Sequence, residues 1–353
     1  MATANEFRPG DARSKGAIPQ RRVPQAWPKD RRFRILSVDG GGIRGIFPAT
    51  FLAELESRYC RGQHIADFFD LIAGTSTGGI LALGLGARLS TQEICDLYVK
   101  RGIEIFPVPK HTLAGRITSF LKKGWHFLHY LYDRNVLSEV VTGTLQDRLF
   151  GDSRSRLCIP AFDGRNSEVF VYKTPHHKDY KFDRFEKMVT VALATAAAPT
   201  YFQPLKHGGY HLVDGGVWAN NPVMIAVVEA LICWEVSPDQ IDVLSISCGE
   251  DPYIVTESQM KWSGKLFWSN AIFAAMRLQS LAATNQARLL LGPPSVVRVV
   301  PTAHQPPIAL DDYRRAVDLL PADAISGVAE HGSKINEMFF HSPVGEYVPV
   351  PAE

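Results

Sequence analysis

The stretch FRILSVDGGGIRGIFPATFLAELE, residues 33–56, constrains the fold more than any other part of the chain. Ile35 to Val38 is a short, fully apolar run, the pattern of a strand covered on both faces of a sheet. It stops at Asp39 and three glycines. From residue 43 to 60, Ile46, Phe47, Phe51, Leu52, Leu55 and Tyr59 then recur at helical spacing. The turn between strand and helix offers bare peptide N–H groups beside a helix N-terminus, a place that favours negative charge. That charge is either the phosphate of a bound nucleotide or the oxygen that turns negative when an ester carbonyl is attacked.

The alternation continues along the chain. A second strand is predicted at Phe68 to Ala73, followed by a helix from about Ser76 to Ala87. Ser90 with Glu93 three residues later is a capping signature, which predicts a helix through 90–102. Further strands are expected at 157–162, 167–173 and 241–247, and helices at 184–197 and 220–235. The last hundred residues read as mostly helical, with one strand at Val296 to Val300. Strands alternating with helices point to an α/β fold with a mainly parallel sheet covered on both sides. A chain of 353 residues that is 46% hydrophobic can bury the core this needs.

The net charge of +2 makes no case for DNA or RNA as a partner, but it is unevenly spread. Residues 1–32 carry eight Lys or Arg against three acidic residues, together with Pro9, Pro19, Pro24 and Pro28 and no apolar periodicity. They are expected to form a flexible basic arm, either a solvated tail or a segment that settles on anionic lipid. The arm lacks the apolar region of a secretory signal. The most apolar stretch, Leu71 to Ala87, is interrupted by Thr75, Ser76 and Thr77 and is too short and polar to span a membrane. The five cysteines are odd in number and widely spaced, as buried reduced thiols of a cytoplasmic chain would be, and no metal site is expected. No carboxylate cluster has the spacing of a calcium loop.

Gly40, Gly42 and Gly45 match G-x-G-x-x-G. A dinucleotide-binding unit, however, needs an acidic residue near the end of the next strand, and Glu54 and Glu56 lie inside the helix. The next strand leads instead to Gly74-Thr75-Ser76-Thr77-Gly78, a G-x-S-x-G between strand and helix, the context in which a serine is held exposed on a strained turn. Small residues between a strand and a helix are also ordinary loop chemistry. A serine nucleophile needs a base. Of the eleven histidines, His176 and His177 lie in a polar turn, and His126 and His129 in a basic aromatic segment. His304, His331 and His341 have no motif around them. His211 stands three residues before Asp214-Gly215-Gly216, an aspartate presented at a strand end or else a simple turn.

Four stretches together carry a resemblance: DGGGIRG at 39–45, GTSTGG at 74–79, ATAAAPTYFQP at 194–204 and DGGVWANNP at 214–222. They resemble, collinearly and over roughly residues 33–235, the patatin-like phospholipases. The resemblance implies a three-layer α/β sandwich with a mainly parallel central sheet, a catalytic core over 33–235, and a largely helical part, 236–353, completing the same domain. It also implies a Ser76–Asp214 dyad without histidine, and an oxyanion hole built on the backbone of Gly40, Gly41, Gly42 and Ile43. Gly45, Gly74, Gly78, Gly215 and Gly216 would shape the loops, while Arg44 braces the first loop or pairs structurally. Asp39 would tie that loop down, Pro199 and Tyr201 would shape an acyl pocket, and Asn220 and Asn221 would cap the following helix. No cofactor is needed for such chemistry.

Residues 117–134 combine Phe120, Trp125 and Phe127 with Lys122, Lys123 and Arg134, which suits a membrane interface or a helix over the site's mouth. The apolar stripe within 261–290 reads as core or subunit contact. Within the family, the chain resembles the bacterial effector phospholipases of antiphage (CBASS) systems. That resemblance implies activation by a cyclic di- or trinucleotide, homo-oligomerisation on activation, and attack on membrane glycerophospholipids at the inner face of the cell membrane. No residue is assigned to the activator; Arg277, Arg288 and Lys122 are charged groups that a solvated surface explains equally well. Two other readings stay open: a lipid acyltransferase using the same acyl-enzyme, and a nucleotide-binding module with an idle serine.

Overall fold

The computed structural model describes residues 22–108, 130–249 and 271–351. The expectations for residues 1–21, for 117–129 with Lys122, His126 and His129, and for the first ten residues of 261–290 lie outside the described residues. Eight strands form one sheet: β1 (Phe33–Val38), β2 (Leu71–Gly74), β3 (Leu157–Asp163), β4 (Glu168–Lys173), β5 (Leu205–His207), β6 (Tyr210–Asp214), β7 (Ile241–Ile246) and β8 (Val296–Val299). Their order is β5-β6-β3-β2-β1-β7-β8, with β4 beside β3. The pairs β1–β2, β1–β7, β2–β3 and β7–β8 are parallel.

Every residue of β1, β2 and β7 is buried, including Arg34, Ser37, Asp242 and Ser245, so these strands read as mostly apolar runs with no exposed face. Successive side chains still separate by face. Leu36, Val38 and Ile72 join one core, with α1 (Ile46–Tyr59), α2 (Thr77–Gly86), α3 (Thr91–Ile105), α4 (Arg134–Leu145) and α5 (Met188–Thr195). Phe33, Ile35, Leu71 and Val243 join the other. There, past the one-turn α6 (Gly216–Ala219), α7 (Val223–Cys233) and α8 (Ala271–Leu291) cover the sheet. This is the three-layer sandwich. The 27-residue α9 (Tyr313–Phe339) buries Ala316, Leu320, Ala324, Val328, Gly332, Ile335 and Phe339, a stripe at helical spacing that packs on α1.

The strand that ends in Asp214 departs from the parallel pattern. β6 is antiparallel to β3, with Ala161 opposite Asp214 and Asp163 opposite Leu212. β4 flanks β3 along Cys158 to Asp163, so β2 and β6 share its other edge, β2 at Leu157–Cys158 and β6 at Ala161–Asp163. The two strands therefore run toward each other along β3, and their C-terminal ends meet. β3 to β4 and β5 to β6 are tight hairpins, which make only antiparallel pairs. Helices α4 and α6 and strand β5 had no clear sequence signal. The helix expected at 184–197 starts at Met188, after a short 3-10 turn, and that expected at 220–235 starts at Val223.

Residues 22–32, assigned on composition to the mobile arm, are packed. The Gln25 N–H donates to Cys233 O at 2.8 Å, and the Glu235 N–H donates to Gln25 O at 2.8 Å. Trp27 is buried with its ring 4.7 Å from Phe33 and 6.3 Å from Trp234. Arg32 donates Nε–H to Asp242 at 2.6 Å, and Arg31 pairs with the buried Asp70. Charge and proline content hid these anchors, because one buried tryptophan leaves no periodic pattern. Trp27→Ala is expected to cost about 3–5 kcal/mol in urea unfolding, the range for emptying an aromatic site in a core, whereas a solvated tail would show no change.

Candidate active site

The nucleophile elbow follows β2. Ser76 has φ 54° and ψ −119°, a conformation that side-chain-bearing residues seldom adopt and that the surroundings must enforce. Its neighbours enforce it by close approach. A Cβ on Gly74 would lie 2.1 Å from Gly78 O, and one on Gly78 2.3 Å from Val38 O, so both glycines of G-x-S-x-G are steric requirements. Ser76 N–H donates to Thr195 Oγ1 at 3.0 Å, and the Thr195 hydroxyl donates to Pro160 O at 2.6 Å. Thr195 thus ties the elbow to β3 and α5. A single threonine in a run of small residues carried no signal of that role. Gly45 gives way to Thr77 and Tyr98 in the same region.

Asp214, the last residue of β6, is buried, and the nearby Ser76 hydroxyl favours its charged form. Its Oδ1 accepts the Gly216 N–H at 2.6 Å. Burial pushes its pKa up to about 6, against the downward pull of those two groups. Gly215 and Gly216 are held close: a Cβ on Gly215 would meet Pro160 O at 2.3 Å, and one on Gly216 would meet Asp214 Oδ1 at 3.0 Å.

The glycine turn after β1 lies opposite. Of its four candidate donors, two are committed. Gly40 N–H donates to Asn220 O at 3.0 Å and Ile43 N–H to Leu310 O at 2.8 Å. Gly41 and Gly42 N–H have no backbone acceptor among the described residues, and both residues line the cavity that contains Ser76 and Asp214. Of the four amides expected to form an oxyanion hole, Gly40, Gly41, Gly42 and Ile43, the outer two anchor the turn to its neighbours and only the middle pair faces the cavity without a backbone acceptor among the described residues. Gly42 has φ +57°, and a Cβ there would fall 2.3 Å from Leu310 O. Asp39 anchors the base of the turn: Arg298 Nη1 donates to its Oδ1 at 2.8 Å, and both residues are nearly inaccessible.

The cavity has a volume of about 620 Å³. One part is walled by Ile80, Leu97, Ile105, Phe106, Leu137 and Val141, from α2, α3, α4 and the turn after α3. Pro199 and Tyr201 also line it, and burial pushes the Tyr201 hydroxyl up to about 12. Its charged lining among the described residues is Arg44, Asp214 and Arg277. Asn220 faces the cavity, and only Asn221 serves α7, its Oδ1 accepting the Val223 N–H at 3.0 Å.

No histidine lines the cavity among the described residues. His211 is exposed on β6, and His304 pairs with Asp323. His176 is buried on the other face of the sheet, sharing one hydrogen bond with Thr174 Oγ1 at 2.9 Å and another with Glu229 Oε1 at 3.1 Å. Cys158, His176 and Glu229 bring three ligand-type atoms within 4.8 Å of one another. Lys173 and Tyr180 also donate to Glu229. Burial alone would raise the Glu229 pKa; Lys173 and His176 overcome it and hold the carboxyl well below the usual range. The cluster satisfies itself as a polar knot. Cys60, Cys95, Cys158, Cys233 and Cys248 are all buried free thiols.

Residues 36–227, more than half of the chain, match the model of the family described as patatin-like phospholipase. The chain belongs to this family. Among its patatin-like relatives are proteins named "cGAMP-activated phospholipase". That from Pseudomonas aeruginosa is 39% identical over 56% of this chain and 56% of its own. That from Escherichia coli is 34% identical over 66% and 67%, and that from Vibrio cholerae 37% over 56% and 57%. The chain spans just over half the length of the first of these relatives. The matched region holds the whole patatin-like constellation, from the glycine turn to Asp214, and stops within α7.

The elbow's strain is measurable without any substrate. Ser76→Gly relieves the φ of +54°, while Ser76→Ala removes the same hydroxyl and keeps the strain. The glycine variant should be the more stable of the two by about 1–2 kcal/mol in chemical denaturation, allowing for glycine's larger unfolded-state entropy.

Proposed function

We propose that this chain is a serine acyl hydrolase that releases fatty acids from glycerophospholipids. The observation that carries the reading is the Ser76 hydroxyl beside a buried carboxylate whose pKa is raised to about 6, both lining a cavity with an apolar wall. Ser76 Oγ attacks the ester carbonyl and its proton passes to Asp214. The carbonyl oxygen becomes negative and takes the Gly41 and Gly42 N–H groups, each worth about 3 kcal/mol to the transition state by comparison with other such donors. Asp214 then gives the proton to the departing alcohol. Water attacks the acyl-enzyme, Asp214 takes its proton, and Ser76 is restored. An ordinary carboxylate is a weak base for this role; raised basicity brings the aspartate closer to the working pH.

The acyl chain fits the apolar wall of α2, α3 and α4. The same wall argues against a nucleotide-binding module, which would present polar groups to a polar ligand. An alcohol in place of water would make the enzyme an acyltransferase through the same intermediate; the ratio of fatty acid to acylated product in the presence of lysophospholipid separates the two. The names of the bacterial relatives support activation by a cyclic di- or trinucleotide. With it go assembly into a homo-oligomer and action on phospholipid at the inner face of the cell membrane in antiphage defence. No described helix is long and apolar enough to cross a membrane.

The test is fatty-acid release from phospholipid vesicles by purified protein, with and without a panel of cyclic di- and trinucleotides. Ser76→Ala and Asp214→Ala should each lose on the order of 10³-fold or more in kcat. His211→Ala should retain most activity, and a dead His211→Ala would show that a histidine is the base.

The pH profile follows from Asp214. Its unprotonated form is the base, and its pKa is raised to about 6. kcat/KM should therefore fall about tenfold per pH unit below pH 6 and level off above it. A midpoint near the ordinary aspartate value of about 4 would contradict a buried base.

A further inference from the structure

The chemistry above uses Ser76, Asp214 and two backbone N–H groups, and gives no task to the two cavity cations, Arg44 in the glycine turn and Arg277 on α8. α8 crosses the catalytic turn and is fastened to it: the Gln279 side chain accepts the Asn221 N–H at 3.1 Å and donates to Asn221 O at 3.2 Å. On the same helix, Met276 reaches over Gly216, where a Cβ would come within 3.0 Å of its methyl. Ser280 donates to Asp39 at 3.4 Å. Arg277 stands between them in sequence and lines the cavity that contains Ser76, Asp214, Gly41 and Gly42. Its Nη1 is shut off from solvent and has no hydrogen-bond partner among the described residues. It forms no ion pair with Asp214 among the described residues, whose carboxylate interacts with Ser76 and Gly216 instead.

A guanidinium N–H withdrawn from water and left unpaired is unfavourable, more so than a neutral donor. Such a group becomes favourable when an anion completes it, and the planar fork of arginine matches phosphate oxygens. The acyl-hydrolase reading supplies a position for that anion, and the argument rests on it. With the scissile carbonyl between Ser76 and the Gly41–Gly42 amides, and the acyl chain against Leu97, Phe106 and Leu137, the rest of the substrate lies on the cavity's other side. In a glycerophospholipid the glycerol carbons place a phosphodiester within a few bonds of the ester. A di- or triacylglycerol has no anion there.

We propose that Arg277 receives the phosphodiester of the substrate and so selects phospholipids over neutral glycerides. It is a specificity residue, separate from the dyad and from the oxyanion site.

The experiment compares phosphatidylglycerol with diacylglycerol of the same acyl chains, dispersed in the same detergent micelles. The full-length protein, Arg277→Gln and Arg277→Lys are assayed with whatever cyclic nucleotide is found to activate the wild type. Arg277→Gln should lower kcat/KM on phosphatidylglycerol about 10- to 100-fold relative to diacylglycerol, mostly through KM, the range for one charge-assisted hydrogen bond. Arg277→Lys should recover part of that selectivity.

Binding provides a second measurement that needs no turnover. Ser76→Ala should bind lysophosphatidylglycerol more tightly than monoacylglycerol, and the Ser76→Ala, Arg277→Gln pair should lose that preference. Equal losses on both lipids, or an unchanged preference in the double variant, would overturn the assignment. Fatty-acid release undiminished in Ser76→Ala would instead overturn the acyl-hydrolase reading, and this proposal with it.

Discussion

Strand β3 lends one edge to two strands running toward each other, and the catalytic geometry depends on that shared edge. β2 climbs along Leu157 and Cys158, and β6 descends along Asp163 to Ala161. Between them lies Pro160, whose carbonyl accepts the Thr195 hydroxyl and crowds Gly215. The strands have to stop there, and what they deliver to the gap is Ser76 from one side and Asp214 from the other. The proposed dyad needs little else to be positioned, because both residues are held by backbone that the sheet itself fixes. Thr195 closes the arrangement by joining the Ser76 amide to the same carbonyl.

The same gap sets the electrostatics. Asp214 lies deep enough that burial outweighs Ser76 and Gly216, which favour its charged form. Fold stability alone would favour a paired or solvated carboxylate. The strained backbone of Ser76 and the unpartnered amides of Gly41 and Gly42 are costs of the same kind. They are concentrated within one cavity while the frame around them is well satisfied. Asp39 is paired with Arg298, and the outer amides of the glycine turn are bonded to Asn220 and Leu310. α9 packs along α1 behind that turn. Strain of this sort persists only where neighbouring structure over-determines it, and here β1, β7, β8, α1 and α9 do so.

The opposite face of the sheet shows what the polar groups outside the site do. Glu229, His176, Lys173 and Tyr180 satisfy one another, and Arg22 and His177 extend the knot to the segment entering β1. None of these side chains lines the cavity that holds Ser76 and Asp214, and two of the histidines a serine enzyme would invite one to examine, His176 and His177, are used up in the knot. The contrast with Arg277 is physical. One set of buried polar atoms has its partners within the fold, while Arg277 Nη1, on the wall of the cavity, has none among the described residues.

Much of this was legible in the residues themselves. Full burial makes a strand a mostly apolar run, so β1, β2 and β7 could be read with their parallel character despite Arg34 and Asp242. Close backbone approach tolerates only glycine, so GTSTGG and DGGGIRG marked the elbow and the cradle. Ser76 and Asp214 were visible because both stand at such constrained turns. Tertiary structure alone decided the direction of β6 against β3, since residues 164–209 lie between the two strands and no hairpin joins them. It alone decided which amides stay free, since Gly40 and Ile43 are spoken for by Asn220 and Leu310, residues remote in sequence. The packing of residues 22–32 belongs here too, because a lone Trp27 carries no periodicity. Local sequence dictates what each turn must tolerate, whereas the partners of a buried polar atom come from distant segments and exist only once the chain has folded.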